Sequence, residues 1–204
     1  MKKNIILMLP VIFILSSCLG IESRMALKRD GSGTLTFNYK ISRMIKDLEL
    51  QNGGGGVLPL PVSEEDFRRA AESTEGVRLS SVKQTEDEEN IYIEARLEFD
   101  RVEALNELSA AGQMEMAYNA GSGTQKFRQV ISSGTGGEEV SAETLSMLEA
   151  FFAGYELSFV IATPTPIRSH SLGSLSEDEK QLTYVVTIPE LFRTPQDRIL
   201  EVEW

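Results

Sequence analysis

The residue with the clearest capacity for chemistry is Cys18, the only cysteine among the 204 residues. It closes the segment Leu15-Ser16-Ser17-Cys18, in which a leucine precedes two small residues. A single thiol forms no disulfide within its own chain, and it cannot supply the several ligands of a thiolate metal site. The chemistry that remains for Cys18 is covalent modification.

The residues before Cys18 have the order of a secretory signal peptide. Basic Lys2 and Lys3 come first, and an apolar run over Ile5–Leu15 follows, with Pro10 inside it. This run is about half of the roughly 20 residues that a transmembrane helix needs to cross a bilayer. The sequence therefore predicts a cleaved signal, not a permanent span.

The residues at the cut resemble the lipobox of bacterial lipoproteins. That resemblance implies a diacylglyceryl group on the Cys18 thiol, removal of residues 1–17, and usually a further acyl chain, such as palmitate, on the new N-terminus. Two or three chains hold a protein durably on a bilayer. We therefore predict lipidation at Cys18, a short tether over residues 18–20, and a location in the bacterial cell envelope, on the outer or the cytoplasmic membrane. A secreted protein with an ordinary cleavage site near Cys18 is the alternative.

The charge of the chain limits its partners. The formal net charge is -11, and removal of Lys2 and Lys3 with the signal leaves -13. Such an acidic surface repels the phosphates of nucleic acids and anionic lipid headgroups. We therefore expect no nucleic-acid partner and no polybasic docking, and predict that the acyl chains make the contact with the membrane.

Two glycine-rich segments have the composition of phosphate-binding loops. They are Gly31-Ser32-Gly33-Thr34 and Gly121-Ser122-Gly123-Thr124, and both lead into strands. A phosphate loop instead opens a helix and carries a lysine. Gly134–Gly137 precedes a helix but also lacks the lysine. We interpret all three segments as turns or connections and predict no cofactor.

Acidic and histidine side chains give no recognisable catalytic or metal motif. The acids of Glu86–Glu89 are contiguous, whereas a calcium loop spaces them around a glycine. His170 lies between Ser169 and Ser171, but the sequence has no Gly-x-Ser-x-Gly nucleophile elbow. We predict a solvated hairpin turn, an exposed loop histidine, no catalytic or metal-binding residue, and no enzymatic activity. A carboxylate pair of the glycosidase kind stays open, because the acids are numerous.

The mature part alternates between hairpin and helix signals, since period-two apolar patterns flank turn residues and three- or four-residue spacings follow. The predicted strands are Ile21–Arg29, Leu35–Ile41, Val77–Thr85, Ile91–Phe99, Met114–Asn119, Phe127–Ile131, Tyr155–Ala162, Leu182–Ile188 and Ile199–Trp204. The predicted helices carry Met44, Ile45 and Leu48; Phe67, Ala70 and Ala71 after a Ser63 cap; Val102, Leu105 and Leu108 after an Asp100 cap; and Leu145, Leu148 and Phe152 from about Ala142.

Successive hairpins with helices on one face give an α+β fold with an antiparallel sheet. We predict one such domain over residues 21–204. Residues 51–57 contain Gly53–Gly56 and are expected to interrupt this domain as a flexible loop.

The order of these features resembles the LppM-type lipoproteins of bacterial envelopes. The shared features are the lipobox, the hairpin around Asp30–Gly33, a strand followed by a helix over Ile91–Leu108, and a strand near the C-terminus that runs into Pro164 and Pro166. Two departures are the missing Pro-Gly and the position of Trp204 in the last strand. The resemblance implies an envelope lipoprotein without established enzymatic activity and with a suggested role in binding lipid or glycolipid.

Three functions remain open at this point. One is a non-enzymatic lipoprotein with an apolar cleft for a lipid-like ligand, for which Phe152 and Phe159 are the test positions. Another is an envelope assembly or surface-interaction lipoprotein with no small ligand. The third is an enzyme of unrecognised type. An apolar cavity favours the first, an exposed apolar patch the second, and convergent ionisable groups the third.

Overall fold

The computed structural model describes residues 20–43, 61, 63–108, 115–121, 123–133, 140–152, 154–193 and 196–204. Cys18, the predicted helix at Met44–Leu48, the segment 51–57 and Gly134–Gly137 lie outside these residues. No helix within the described ranges is long and apolar enough to span a bilayer.

The chain forms a series of strands interrupted by short helices. In order these are β1 (Ile21–Leu27), β2 (Gly33–Ser42), α1 (Glu64–Glu72), β3 (Val77–Glu86), β4 (Asn90–Phe99), a 3₁₀ helix (Val102–Glu107), β5 (Glu115–Ala120), β6 (Gln125–Ser132), α2 (Ala142–Phe151), β7 (Glu156–Ala162), β8 (Ser169–His170), β9 (Ser174–Leu175), β10 (Gln181–Thr187), α3 (Ile188–Arg193) and β11 (Arg198–Glu203).

Seven strands form the larger sheet, in the order β3-β4-β2-β1-β7-β10-β9. Its hairpins follow the sequence pattern, because β2 and β4 place alternate apolar residues on one buried face. Leu35 pairs with Leu97, and Tyr39 pairs with Ile93. The predicted α+β class is confirmed, and so are the three predicted hairpins, of which β1–β2 and β3–β4 lie in this sheet and β5–β6 in the smaller one.

The smaller sheet has four strands in the order β5-β6-β11-β8. Phe127, Val202 and Trp204 from its inner face are fully buried in the shared core. The first hairpin turn contacts this sheet, because the Tyr118 hydroxyl donates a hydrogen bond of 2.6 Å to the carbonyl of Arg29. Gly31 fits here with a φ of +82°, since a Cβ atom would lie 2.6 Å from the Tyr118 ring.

Helix α1 begins as the sequence predicts. The Ser63 hydroxyl accepts from the Asp66 amide at 3.2 Å and caps the helix. Phe67, Ala70 and Ala71 are buried, and the helix packs against β3. The structure confirms this element in full.

Four features differ from the prediction. The β1–β7 pairing is parallel, so the larger sheet is mixed, and the strands divide between two sheets. Asp100 does not cap the following helix, because its carboxylate accepts from the Arg78 guanidinium at 3.0 and 3.2 Å. Strands β8 and β9 and helix α3 were not predicted, since each is very short. Helix α2 packs against α3, with Leu145 and Leu148 only half-buried.

Candidate functional site

The described chain begins in close contact with β7. Gly20 is buried, and a Cβ atom on it would lie 1.4 Å from the Glu156 carbonyl oxygen. The next residue, Ile21, pairs with Leu157 in the parallel β1–β7 ladder. The part of the chain that the structure describes therefore begins at Gly20, two residues after the predicted lipidation site.

Chain geometry fixes how far that site is from the fold. A chain spans at most about 3.6 Å per residue, so the Cα atom of Cys18 lies within about 7 Å of the Cα atom of Gly20. Acyl chains on Cys18 would enter the membrane beside the beginning of β1 and β7. We call this the anchor end of the larger sheet.

A groove of about 780 Å³ opens at the other end of the same sheet. The loops that follow β1 and β7 form it together with the β5–β6 turn and the end of β11. Its lining is Arg29, Gly123, Gln125, Thr165, Pro166, Ile167, Arg168, Glu179 and Trp204. We refer to it as the Trp204 groove. Strand β1 runs from Ile21 at the anchor end to Leu27, a length of about 20 Å.

Backbone hydrogen bonds hold the walls of the Trp204 groove. The Ile167 amide donates to the Glu179 carbonyl at 2.7 Å, and the Arg168 amide donates to the Glu203 carbonyl at 2.8 Å. Trp204 and Gln125 exchange two backbone hydrogen bonds of 3.1 Å. The proline segment is therefore attached to β11 and to the turn between β9 and β10, and the groove is preformed.

Charge distinguishes the Trp204 groove from the acidic surface around it. Arg29 and Arg168 stand on its walls, with Glu179 as the opposing acid. The Arg168 guanidinium lies 3.4 Å from the Gly123 carbonyl, a weak hydrogen bond that leaves most of its donors to other partners. Trp204 is only 1% exposed, so its ring offers no face to a ligand. This lining fits a polar or anionic group better than an acyl chain.

A second groove of about 540 Å³ runs between α1 and β3. Its rim carries Arg68, which pairs with Glu65 at 2.9 Å and also with Glu64, and Arg78, which pairs with Asp100. These ion pairs are exposed, so salt screens them and they contribute little stability. The arginines at the rim of this groove are therefore already paired with carboxylates of the protein.

His170 lies in β8 and is exposed. Its Nδ1 atom is 3.2 Å from the Leu172 carbonyl. The adjacent serines bind β11 instead: Ser169 donates to Glu203 at 3.1 Å, and Ser171 donates to the Ile199 carbonyl at 2.8 Å. These contacts give the Ser-His-Ser segment a structural role at the sheet edge.

The acidic run Glu86–Glu89 forms the β3–β4 turn, as predicted. The Asp87 carboxylate accepts from the amides of Glu89 and Asn90 at 2.9 and 2.7 Å. It also accepts from the Tyr92 hydroxyl at 2.8 Å, and these hydrogen bonds lower the pKa of Asp87. The described residues contain no group of three or more side chains suited to hold a metal ion.

Of the two aromatic test positions, Phe152 lies just before β7 and Phe159 lies at the middle of β7. Phe159 on β7 stacks on Tyr184 with ring centroids 6.3 Å apart. Phe152 follows α2 and meets Tyr155 edge to face at 6.3 Å. Both phenylalanines are half-buried. Each packs against a different tyrosine.

Sequence reasoning did not predict the Trp204 groove. Arg29 and Arg168 are far apart in the chain, and the parallel β1–β7 pairing brings their loops to one end of the sheet. Nothing in the local pattern signals that pairing. The one available hint was the proline segment after β7, which had to leave the sheet at this point.

The sequence matches no protein-family model, and no curated protein matches it. Among solved structures, the chain is similar to the NMR structure of the folded domain of LppM from Mycobacterium tuberculosis, with 7% sequence identity and a TM-score of 0.45. The match covers 100% of this chain and 94% of that chain. A similarity of this size shows nothing about function.

Proposed function

We propose that the protein is a non-enzymatic lipoprotein of the bacterial cell envelope, anchored by acyl chains on Cys18. The observation that carries the proposal is the lipobox-like Leu15–Cys18 at the end of a signal peptide, two residues before the packed Gly20. An acyl anchor requires the signal, the cysteine and the folded domain to follow one another in this order, and every residue that the structure describes lies after the proposed cut.

Of the two non-enzymatic roles, interaction with a partner at the protein surface is better supported than lipid binding. The Trp204 groove is open, preformed and lined by arginine, glutamate and backbone groups, which favours a polar partner. It also lies about 20 Å along β1 from the anchor end, so it would face away from the membrane. A partner in the aqueous part of the envelope fits this placement better than a lipid from the same bilayer.

Lipid binding is the second candidate, and one observation favours it. Three half-buried apolar side chains, Ile21 and Leu157 at the anchor end and Phe159 at the middle of β7, pack against the core. Phe159→Asp is expected to lower binding in a fluorescent-lipid displacement assay if they contact lipid. Equal displacement with wild type and variant, with unchanged circular dichroism, would rule out this surface.

The test of the anchor is Cys18→Ala. The thiol receives the lipid before cleavage in the proposed pathway, so the variant should accumulate as unprocessed precursor. Ser17→Ala is the matched control, and we expect normal processing because small residues are suited to that position. Cleavage of both variants to the same mature size, with both remaining in the detergent phase, would refute the proposal.

A further inference from the structure

The exposed large apolar side chains of the described residues lie on two helices and on the strand that leads into one of them. They are Met147 on α2, Phe192 on α3 and Val185 near the end of β10, exposed by 52%, 43% and 46%. Single exposed apolar residues are common on protein surfaces, but here they lie on consecutive or contacting elements. Helices α2 and α3 pack against each other, and α3 continues directly from β10.

Strand pairing places the two helices at the anchor end. Thr187, the last residue of β10, pairs with Glu156, the first residue of β7. Glu156 is also the residue that contacts Gly20. Helix α2 precedes β7, and helix α3 follows β10. Both helices therefore adjoin the anchor end of the larger sheet, where Gly20 contacts Glu156.

We infer that α2 and α3, with Met147 and Phe192, form a membrane-contact surface that lies on the bilayer into which Cys18 is anchored. The inference rests on the lipoprotein function proposed above. The occupant is a lipid bilayer because Cys18 lies within about 7 Å of Gly20, so the anchor holds this end of the fold near the headgroups. An apolar side chain brought there is stabilised by leaving water for the apolar part of the bilayer.

The charges around this surface select the kind of bilayer. Helix α2 carries Glu143 and Glu149, and α3 carries Glu190 and Arg193. Arg193 pairs with Glu149, and the Glu190 carboxylate accepts from the Thr187 amide and hydroxyl at 2.8 and 2.9 Å. The surface is therefore acidic overall and suits zwitterionic headgroups such as phosphatidylcholine, since anionic lipids would repel it.

The contact is testable with the full lipidated protein in phosphatidylcholine vesicles. Three variants, Met147→Cys, Phe192→Cys and Glu177→Cys, each introduce one cysteine. Because the acylated Cys18 has no free thiol, an environment-sensitive fluorophore labels only the introduced cysteine of each variant. Glu177 is the matched control, because it is exposed in the turn before β10, at the opposite end of the sheet. Circular dichroism and melting curves check that each variant is folded.

We expect quenching by spin-labelled phosphatidylcholine to be at least threefold stronger at positions 147 and 192 than at position 177. Equal and weak quenching at all three positions, in protein whose mass shows the acyl chains, would overturn the membrane-contact surface and leave the lipoprotein function intact. A mass without acyl chains would instead overturn the lipoprotein function, and the inference with it.

Discussion

Arg198 of β11 donates a hydrogen bond of 2.7 Å to the hydroxyl of Tyr184 on β10, and so joins the two sheets. The same guanidinium donates to the Glu190 carbonyl of α3 at 3.1 Å. One side chain thus links the smaller sheet, the larger sheet and the short helix that carries Phe192.

Loss of this link should loosen α3. We expect Tyr184→Phe to cost about 1 kcal/mol of unfolding free energy, as for a typical hydrogen bond. Arg198→Met removes both hydrogen bonds, so hydrogen exchange of the α3 amides should accelerate more in that variant than in Tyr184→Phe. Identical exchange of α3 in wild type and Arg198→Met would show that the helix is held by its apolar contacts alone.

Gly20 should tolerate no side chain. A Cβ atom would lie 1.4 Å from the Glu156 carbonyl oxygen, so β1 must shift away from β7 in Gly20→Ala. We expect a loss of about 1–3 kcal/mol in chemical denaturation, the usual cost of overpacking. Gly121→Ala is the control, because its nearest contact is the Thr124 carbonyl at 3.3 Å. If the two variants are equally stable, the packing of Gly20 on β7 is wrong.

Tyr39 should make stability sensitive to alkaline pH. Burial, and then the negative charge of Asp66, raise the pKa of Tyr39 well above its ordinary value of 10. The folded state therefore keeps the phenol proton at pH values where the unfolded state releases it. This contribution is complete below about pH 10 and is lost as pH rises toward the folded pKa.

The variant Tyr39→Phe isolates this effect. It loses the hydrogen bond from the hydroxyl to the Pro61 carbonyl, so we expect a cost of about 1 kcal/mol at pH 7. Above pH 10 its stability should fall less steeply than that of the wild type. Tyr155→Phe, at a position where the ring instead meets Phe152 edge to face, serves as the control in denaturation curves between pH 8 and 11. Parallel pH profiles for wild type and Tyr39→Phe would contradict the assignment.

Local patterns predicted the hairpins well, and the physical reason is clear in β2. Leu35, Phe37, Tyr39 and Ile41 alternate with polar residues, so one face must be buried whichever strand lies beside it. The Ser63 cap is equally local, because donor and acceptor are three residues apart. Patterns of this length determine an element before any tertiary contact forms.

Longer-range features could not be predicted in the same way. Asp100 has the side chain of a helix cap, yet the Arg78 guanidinium on the neighbouring strand takes both of its oxygens. The parallel β1–β7 pairing joins segments more than 130 residues apart and decides which loops form the Trp204 groove. Only the packing of the whole chain determines these partners.

The lipid anchor itself is the central claim, and the mass of the N-terminal peptide tests it most directly. The full-length protein is extracted from its native membrane with detergent, digested, and analysed by mass spectrometry. We predict a mature N-terminus at Cys18 that carries a diacylglyceryl thioether, with no peptide from residues 1–17 attached. A mature N-terminus at another residue, or an unmodified Cys18 thiol, would contradict the account.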